Sequence, residues 1–200
     1  VLRRACADAT LWKNGKKVAV NMSAIQLNQA ELPTIIHQIL IDTGLSPKRL
    51  EVELTETAIL EDKDRALHVL RQIKSLGVGV ALDDFGTGYS SLEILRSFPF
   101  DKIKLDRFFM AEIETSNEAK ALVRSVLLLG KSLSIPVLAE GVESELQLSI
   151  LKDEGCDEVQ GFLLGRPEKL ADVLSRQDKT NLSKGKDQLS SKGLKSVRVA

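Results

Sequence analysis

Cysteine is almost missing from this chain of 200 residues, which holds only Cys6 and Cys156. Two thiols so far apart make neither a disulfide framework nor a zinc site, and both read as small buried side chains. Histidine is equally scarce. His37 and His68 each fall in an amphipathic segment with no Cys or His partner nearby, which leaves them as helix-surface residues. No apolar run approaches the roughly 18 to 20 residues of a membrane span. The first residues also lack the basic-then-apolar layout of a signal peptide, so the expectation is a soluble, cytoplasmic domain, whose parent could still be membrane-anchored through upstream segments. An excess of either charge is absent too. Lys+Arg and Asp+Glu both number 28, which removes the electrostatic argument for nucleic acid or a membrane surface.

What is present describes a globular domain. The chain is 43% hydrophobic and 28% charged, enough to bury a real core and to exclude disorder of the whole. The charge balance is uneven along the chain. Residues 176–200 carry seven basic side chains against Asp178 and Asp187. This stretch is rich in Lys, Ser, Asn, Gly and Gln and has no apolar period, so it reads as a disordered basic tail. It has no aromatic residues to stack bases and no amphipathic face for a membrane, which favours a solvated tail.

From residue 1 to 175, strand-like and helix-like segments alternate with short connections, the pattern of βα units on a parallel sheet. Strands are expected near 17–21, 50–55, 78–83, 101–105, 136–140 and 157–161. Helices are expected near 1–13, 24–43, 58–75, 90–96, 117–132, 144–153 and 168–175. Asn28 and Ser144 are plausible caps, and Gly77 and Gly155 lie where helices should stop. Six such steps approach the eight of a barrel. The chain starts at Val1 in the middle of a helical pattern, so the expected fold is an α/β, TIM-like (β/α) barrel that is incomplete at its N-terminus.

A parallel strand covered on both faces should be nearly all apolar, so each polar residue within one needs a reason. Asn21 ends the first strand, Glu53 and Glu56 mark the second, and Asp83-Asp84 closes the third. Lys104 sits between Ile103 and Leu105, Glu140 and Glu143 follow Val137-Leu-Ala139, and Gln160 follows Glu158-Val159. Gly79, Ala81 and Asp83 share one face of their strand, small residues that suit a crowded interior, so Asp83 should point inward. Lys102, Lys104 and Asp106 share a face as well, and a buried Lys104 would demand carboxylate neighbours. Asn21, Glu53, Asp83, Asp84 and Glu140 offer hard oxygen ligands that select Mg²⁺ or Mn²⁺. Two such ions roughly 3.5 to 4 Å apart would clamp both oxygens of a phosphoryl displacement, with Asp83 as the bridge and Lys104 orienting or deprotonating the water.

These motifs resemble the EAL domain, the cyclic di-GMP phosphodiesterase domain of bacterial signalling proteins. They are Asn21-Met-Ser23, Glu53-Leu-Thr-Glu56, the run Asp83 to Ser91, Asp101 to Asp106, Ala139-Glu-Gly-Val-Glu143 and Gln160-Gly161. The resemblance covers residues 1–175 and implies hydrolysis of cyclic di-GMP to the linear dinucleotide pGpG with two Mg²⁺ or Mn²⁺ ions. It implies that Asn21, Glu53, Asp83 and Asp84 are metal ligands, that Lys104 activates the water, and that Glu140 and Gln160 complete the catalytic site. Glu56 would anchor the loop Phe85, Gly86, Thr87, Gly88, Tyr89, Ser90 and Ser91, which couples metal binding to a homodimer contact, and Glu143 would support the site from behind. Gly86 and Gly88 permit backbone angles such a loop needs.

The Glu-Ala-Leu segment that names the family should precede Val1 and is not among these residues. With it go a metal ligand, a phosphate-binding Arg and a strand. The expectation is therefore a competent parent phosphodiesterase, with a sensor or GGDEF domain upstream, and a poorly active isolated fragment. The alternative is a receptor that binds cyclic di-GMP without hydrolysing it. A third reading, an enzyme for another phosphate ester, follows from the residue chemistry alone.

Overall fold

The computed structural model describes residues 1–12, 15–86, 91–175 and 196–197. The chain divides into two compact units, Val1–Lys104 and Leu105–Ala200, and each is described by itself.

The first unit begins with helix α1 (Leu2–Thr10) and strand β1 (Val18–Asn21). Helices α2 (Ala24–Leu27) and α3 (Leu32–Thr43) lead to β2 (Leu50–Thr55), and α4 (Glu56–Leu60) and α5 (Lys63–Ser75) lead to β3 (Gly79–Phe85). Helix α6 (Ser91–Ser97) is followed by β4 (Lys102–Leu105), which crosses the division. The strands run in the order β1, β2, β3, β4. β1 and β2 are parallel with Asn21 opposite Glu53, and β2 and β3 are parallel with Glu53 opposite Ala81 and Thr55 opposite Asp83.

Alternation in β2 sets the layers. Leu50, Val52 and Leu54 are at most 1% exposed and form the apolar side, so Glu51, Glu53 and Thr55 share the other. Helix α3 buries Ile36, Ile39 and Leu40, and α5 buries Ala66, Leu67, Leu70 and Ile73, the i, i+3, i+4 stripe of a helix lying on a core. Truncating one of these, such as Ile73→Ala, should cost about 2–5 kcal/mol.

Two helices expected to be continuous are each divided. Pro33 lies in the first turn of α3, where its missing N–H is harmless, whereas a helix spanning 24–43 would put it in the interior and break an i to i−4 bond. Asn28 accordingly caps the C-terminus of α2 rather than lying inside a long helix. The segment 58–75 is divided because Asp62 caps α5, accepting the Arg65 N–H at 3.3 Å. Thr55 caps α4 in the same way through the Ala58 N–H, so helix starts at Glu56, directly after β2.

In the second unit, a short 3₁₀ turn (Arg107–Met110) precedes α7 (Asn117–Leu133), β5 (Val137–Ala139), α8 (Glu145–Asp153) and β6 (Glu158–Val159). β5 and β6 are parallel with Ala139 opposite Val159. Ser144 starts α8 through a reciprocal capping box with Gln147. Gly77 and Gly155 follow α5 and α8 with φ of 88° and 76°, the left-handed stops read from sequence. Both fifth and sixth strands are shorter than expected, so Glu140, Gln160 and Gly161 lie just past strand ends rather than in strands. The proposed tail 176–200 lies outside the described residues except Ser196–Val197, a two-residue strand β7 parallel to β6.

Cys6 and Cys156 are free and buried, and both histidines are exposed on helices, as the sequence indicated. Among the described residues no helix is long and apolar enough to cross a membrane.

Candidate active site

Strands β2, β3 and β4 each carry a buried charged residue within two positions of the carboxyl end. Glu53 is 6% exposed, Asp83 7% and Lys104 4%, so all three side chains are withdrawn from water. The Lys104 ammonium donates to Glu53 Oε2 at 2.7 Å and lies 2.9 Å from Asp83 Oδ1. The neighbours that a buried lysine requires are thus supplied by the two preceding strands. Burial pushes the Glu53 carboxyl above its ordinary range, and the positive charge of Lys104 pulls in the opposite direction.

Asp84 follows with φ of 53°, a left-handed backbone uncommon for a residue with a side chain. Its N–H donates to Asp83 Oδ1 at 3.0 Å. The backbone kink lets consecutive aspartates both leave the strand end instead of pointing to opposite faces. Three carboxylates, Glu53, Asp83 and Asp84, therefore accompany one ammonium here, an excess of negative charge in a partly dry setting.

The other residues singled out from sequence are distributed as follows. Asn21 is exposed at the end of β1, beside Glu53 in register, and the next N–H, that of Met22, donates to the Glu53 carbonyl at 2.8 Å. Glu56 is 3% exposed, and its Oε1 accepts the Gly86 N–H at 3.2 Å, tying α4 to the first turn after β3. Phe85 is buried beneath that turn, and Gly86 has φ of 94°, a conformation suited to glycine. Thr87, Gly88, Tyr89 and Ser90 lie outside the described residues, and Ser91 opens α6.

In the second unit, Glu140 and Gln160 are half-buried and follow neighbouring parallel strands. The Gln160 N–H donates to the Ala139 carbonyl at 2.8 Å, and the Gln160 carbonyl accepts the Val142 N–H at 3.0 Å. Glu143 is exposed, and its N–H donates to Gln147 Oε1 at 2.7 Å.

Sequence reasoning missed Glu51. It is fully buried, with Lys102 Nζ at 3.6 Å and Lys17 Nζ at 3.7 Å, so a second acid and lysine layer lies beneath that of Glu53 and Lys104. The signal was available: Glu51 and Glu53 are two apart on one strand, as are Lys102 and Lys104.

Parallel strands alternating with helices define an α/β protein of the TIM-like (β/α) barrel class, and the acidic residues and lysine stand near the carboxyl ends of its strands, the side where such folds bind ligands. The chain belongs to the EAL domain family, whose model matches residues 1–167. It is 58% identical to an uncharacterized signaling protein of Caulobacter vibrioides over 84% of this chain and 21% of that protein. It is 40% identical to the bifunctional diguanylate cyclase/cyclic di-GMP phosphodiesterase MucR of Pseudomonas aeruginosa, over 88% of this chain and 26% of that protein. The solved structure of the MucR phosphodiesterase in complex with c-di-GMP matches with a TM-score of 0.81 at 39% identity, covering 86% of this chain and 71% of that one. A manganese and cyclic di-GMP complex of BlrP1 from Klebsiella pneumoniae matches with a TM-score of 0.77 at 34% identity, over 82% and 42% of the two chains. The chain thus spans about a fifth to a quarter of the length of the curated relatives it matches.

Proposed function

We propose that this domain hydrolyses cyclic di-GMP to linear pGpG with the help of two divalent cations. The observation that carries the reading is the Lys104 ammonium held by Glu53 and Asp83 at strand ends of an EAL domain. Relatives named as cyclic di-GMP phosphodiesterases, among them NbdA of Pseudomonas aeruginosa and PdeR of Escherichia coli, supply the substrate class.

The residues fit Mg²⁺ or Mn²⁺. Glu53, Asp83 and Asp84 are carboxylates and Asn21 an amide oxygen, with neither sulfur nor imidazole in the set, which suits hard cations. When bound, such ions supply Lewis-acid charge to the phosphate and to the attacking water. Lys104 donates from Nζ to that water and orients it in line with the scissile bond. Water oxygen attacks phosphorus, the bond to the ribose 3′ oxygen breaks, and the proton released by the water passes through the acidic cluster to the departing oxygen. Glu140 and Gln160, at the ligand ends of their own strands, carry the remaining catalytic roles that the family likeness assigns. Glu56 holds the loop that begins at Gly86, and a homodimer contact through residues 83–91 belongs to the same reading.

The test is turnover of cyclic di-GMP with Mn²⁺ by the protein expressed at its full length, with pGpG followed by chromatography. Metal-dependent pGpG release that is lost in Asp83→Asn and Glu53→Gln supports the reading. Tight binding without release would establish a receptor instead, and failure of cyclic di-GMP to compete with another hydrolysed phosphate ester would establish a different substrate.

A further inference from the structure

Two rungs of paired charge span the first unit. Glu51 and Glu53 stand two apart on β2, and Lys102 and Lys104 two apart on β4, so each pair shares one face of its strand. Lys104 Nζ donates to Glu53 Oε2 at 2.7 Å, and nearer the amino ends of the strands Lys102 Nζ stands 3.6 Å from Glu51 Oε1. β3 lies between β2 and β4 in the sheet, and it meets the acids with its smallest residues, Gly79 opposite Glu51 and Ala81 opposite Glu53. A Cβ on Gly79 would already touch Glu51 Cγ at 3.5 Å, so these short side chains leave the space over β3 in which acid and lysine meet.

Two residues of strand separate the rungs by about 7 Å, a distance that the flexible stem of a lysine spans. Either acid is thus within reach of Lys104. Glu51 is fully buried, against 6% exposure for Glu53, so it is the drier carboxylate and requires a cation the more strongly. Lys102, 4% exposed, supplies that cation from the same dry layer. Lys17 also lies 3.7 Å from Glu51, but its side chain is 47% exposed and its charge is weakened by water. With Glu51 compensated in this way, the Lys104 ammonium is left to Glu53 and to Asp83, 2.9 Å away.

We propose that Lys102 is a positioning residue for the reaction: by compensating Glu51 it keeps Lys104 at Glu53 and Asp83, where the attacking water is to be oriented. The role requires no contact of Lys102 with substrate or metal, since it acts through Lys104. The proposal rests on the phosphodiesterase reading and deepens it.

In the full-length protein, Lys102→Met should lower kcat for cyclic di-GMP by about 10- to 100-fold and change KM by less than about threefold, with kcat taken per folded molecule from near-ultraviolet circular dichroism. The double variant Glu51→Gln with Lys102→Met should return kcat to within about threefold of the wild type, because the acid that draws Lys104 away is gone. Lys102→Met should also bind Mn²⁺ at least as tightly as the wild type in calorimetry, since Lys104 no longer competes for Glu53 and Asp83, whereas a distorted site would bind it more weakly. Wild-type kcat in Lys102→Met, a kcat that stays low in the double variant, or weaker Mn²⁺ binding overturns the proposal alone. If Lys102→Met does not fold, Lys102→Gln, which keeps a donor for Glu51 without the charge, takes its place, and failure of both to fold assigns Lys102 to stability and overturns the positioning role. A wild-type protein that does not turn over cyclic di-GMP overturns it together with the functional reading.

Discussion

Lys104 and Glu53 meet at 2.7 Å although neither is more than 6% exposed, and Asp83 lies 2.9 Å from the same ammonium. Removing the cation leaves buried carboxylates facing each other. Lys104→Met should therefore cost about 3–5 kcal/mol in metal-free buffer. Added Mn²⁺ should recover part of that loss by replacing the missing positive charge. Urea unfolding of the domain with and without the ion measures both, and a small, metal-insensitive loss would refute the coupling.

Asp84 pays for its left-handed backbone, at φ of 53°, with conformational strain on the order of 1 kcal/mol. Asp84→Gly should relieve the strain and leave the melting temperature equal or higher. The same change should lower metal-dependent pGpG release by more than the roughly 10- to 100-fold typical of groups outside the ligand shell. A variant both more stable and fully active would remove Asp84 from the site.

Glu51 and Lys102 form a deeper layer whose value lies in mutual compensation, at 3.6 Å between Oε1 and Nζ. Glu51→Ala should destabilise by about 3–5 kcal/mol because the lysine stays behind in a dry setting. The double change Glu51→Gln with Lys102→Met should cost less than the sum of its parts by about 0.5–3 kcal/mol. A double-mutant cycle in urea reads the coupling directly, and strict additivity would rule it out.

Burial raises the Cys156 thiol to about 11 from its ordinary 9.0. Its Sγ–H donates to the Glu158 carbonyl at 3.1 Å. The folded state holds this proton more tightly than the unfolded state, so the associated stability is complete below pH 9 and is lost between about pH 9 and pH 11. The loss amounts to at most about 3 kcal/mol. Cys156→Ala should flatten that part of the stability profile, and parallel profiles for the two proteins would contradict the assignment.

Strand positions were legible because apolar runs such as Val78 to Leu82 and Leu50 to Leu54 tolerate few polar residues, and each exception had to mean something. The same rule made the meeting of Glu53, Asp83 and Lys104 readable before any coordinates. Glu51 escaped notice because it stands near the start of its strand, where an acid resembles an ordinary surface residue, although its two-residue spacing from Glu53 puts both on one face and its register with Gly79 agrees. The breaks near residues 28–31 and 61–62 were hidden by continuous apolar spacing, although Pro33 and Asp62 marked them locally.

The partners in the Glu53–Lys104 pair are 51 residues apart in the chain, with all of β3 and its flanking helices between them. Closing so long a loop is slow relative to the local pairings on either side, so the three charged groups remain hydrated until β2, β3 and β4 have docked. We expect desolvation to fall on the last step of folding, after the rate-limiting barrier. In stopped-flow experiments, Lys104→Met should accordingly quicken unfolding and leave the refolding limb nearly unchanged. The residues proposed for chemistry would thus govern how long the domain stays folded, while its apolar strands govern how fast it arrives.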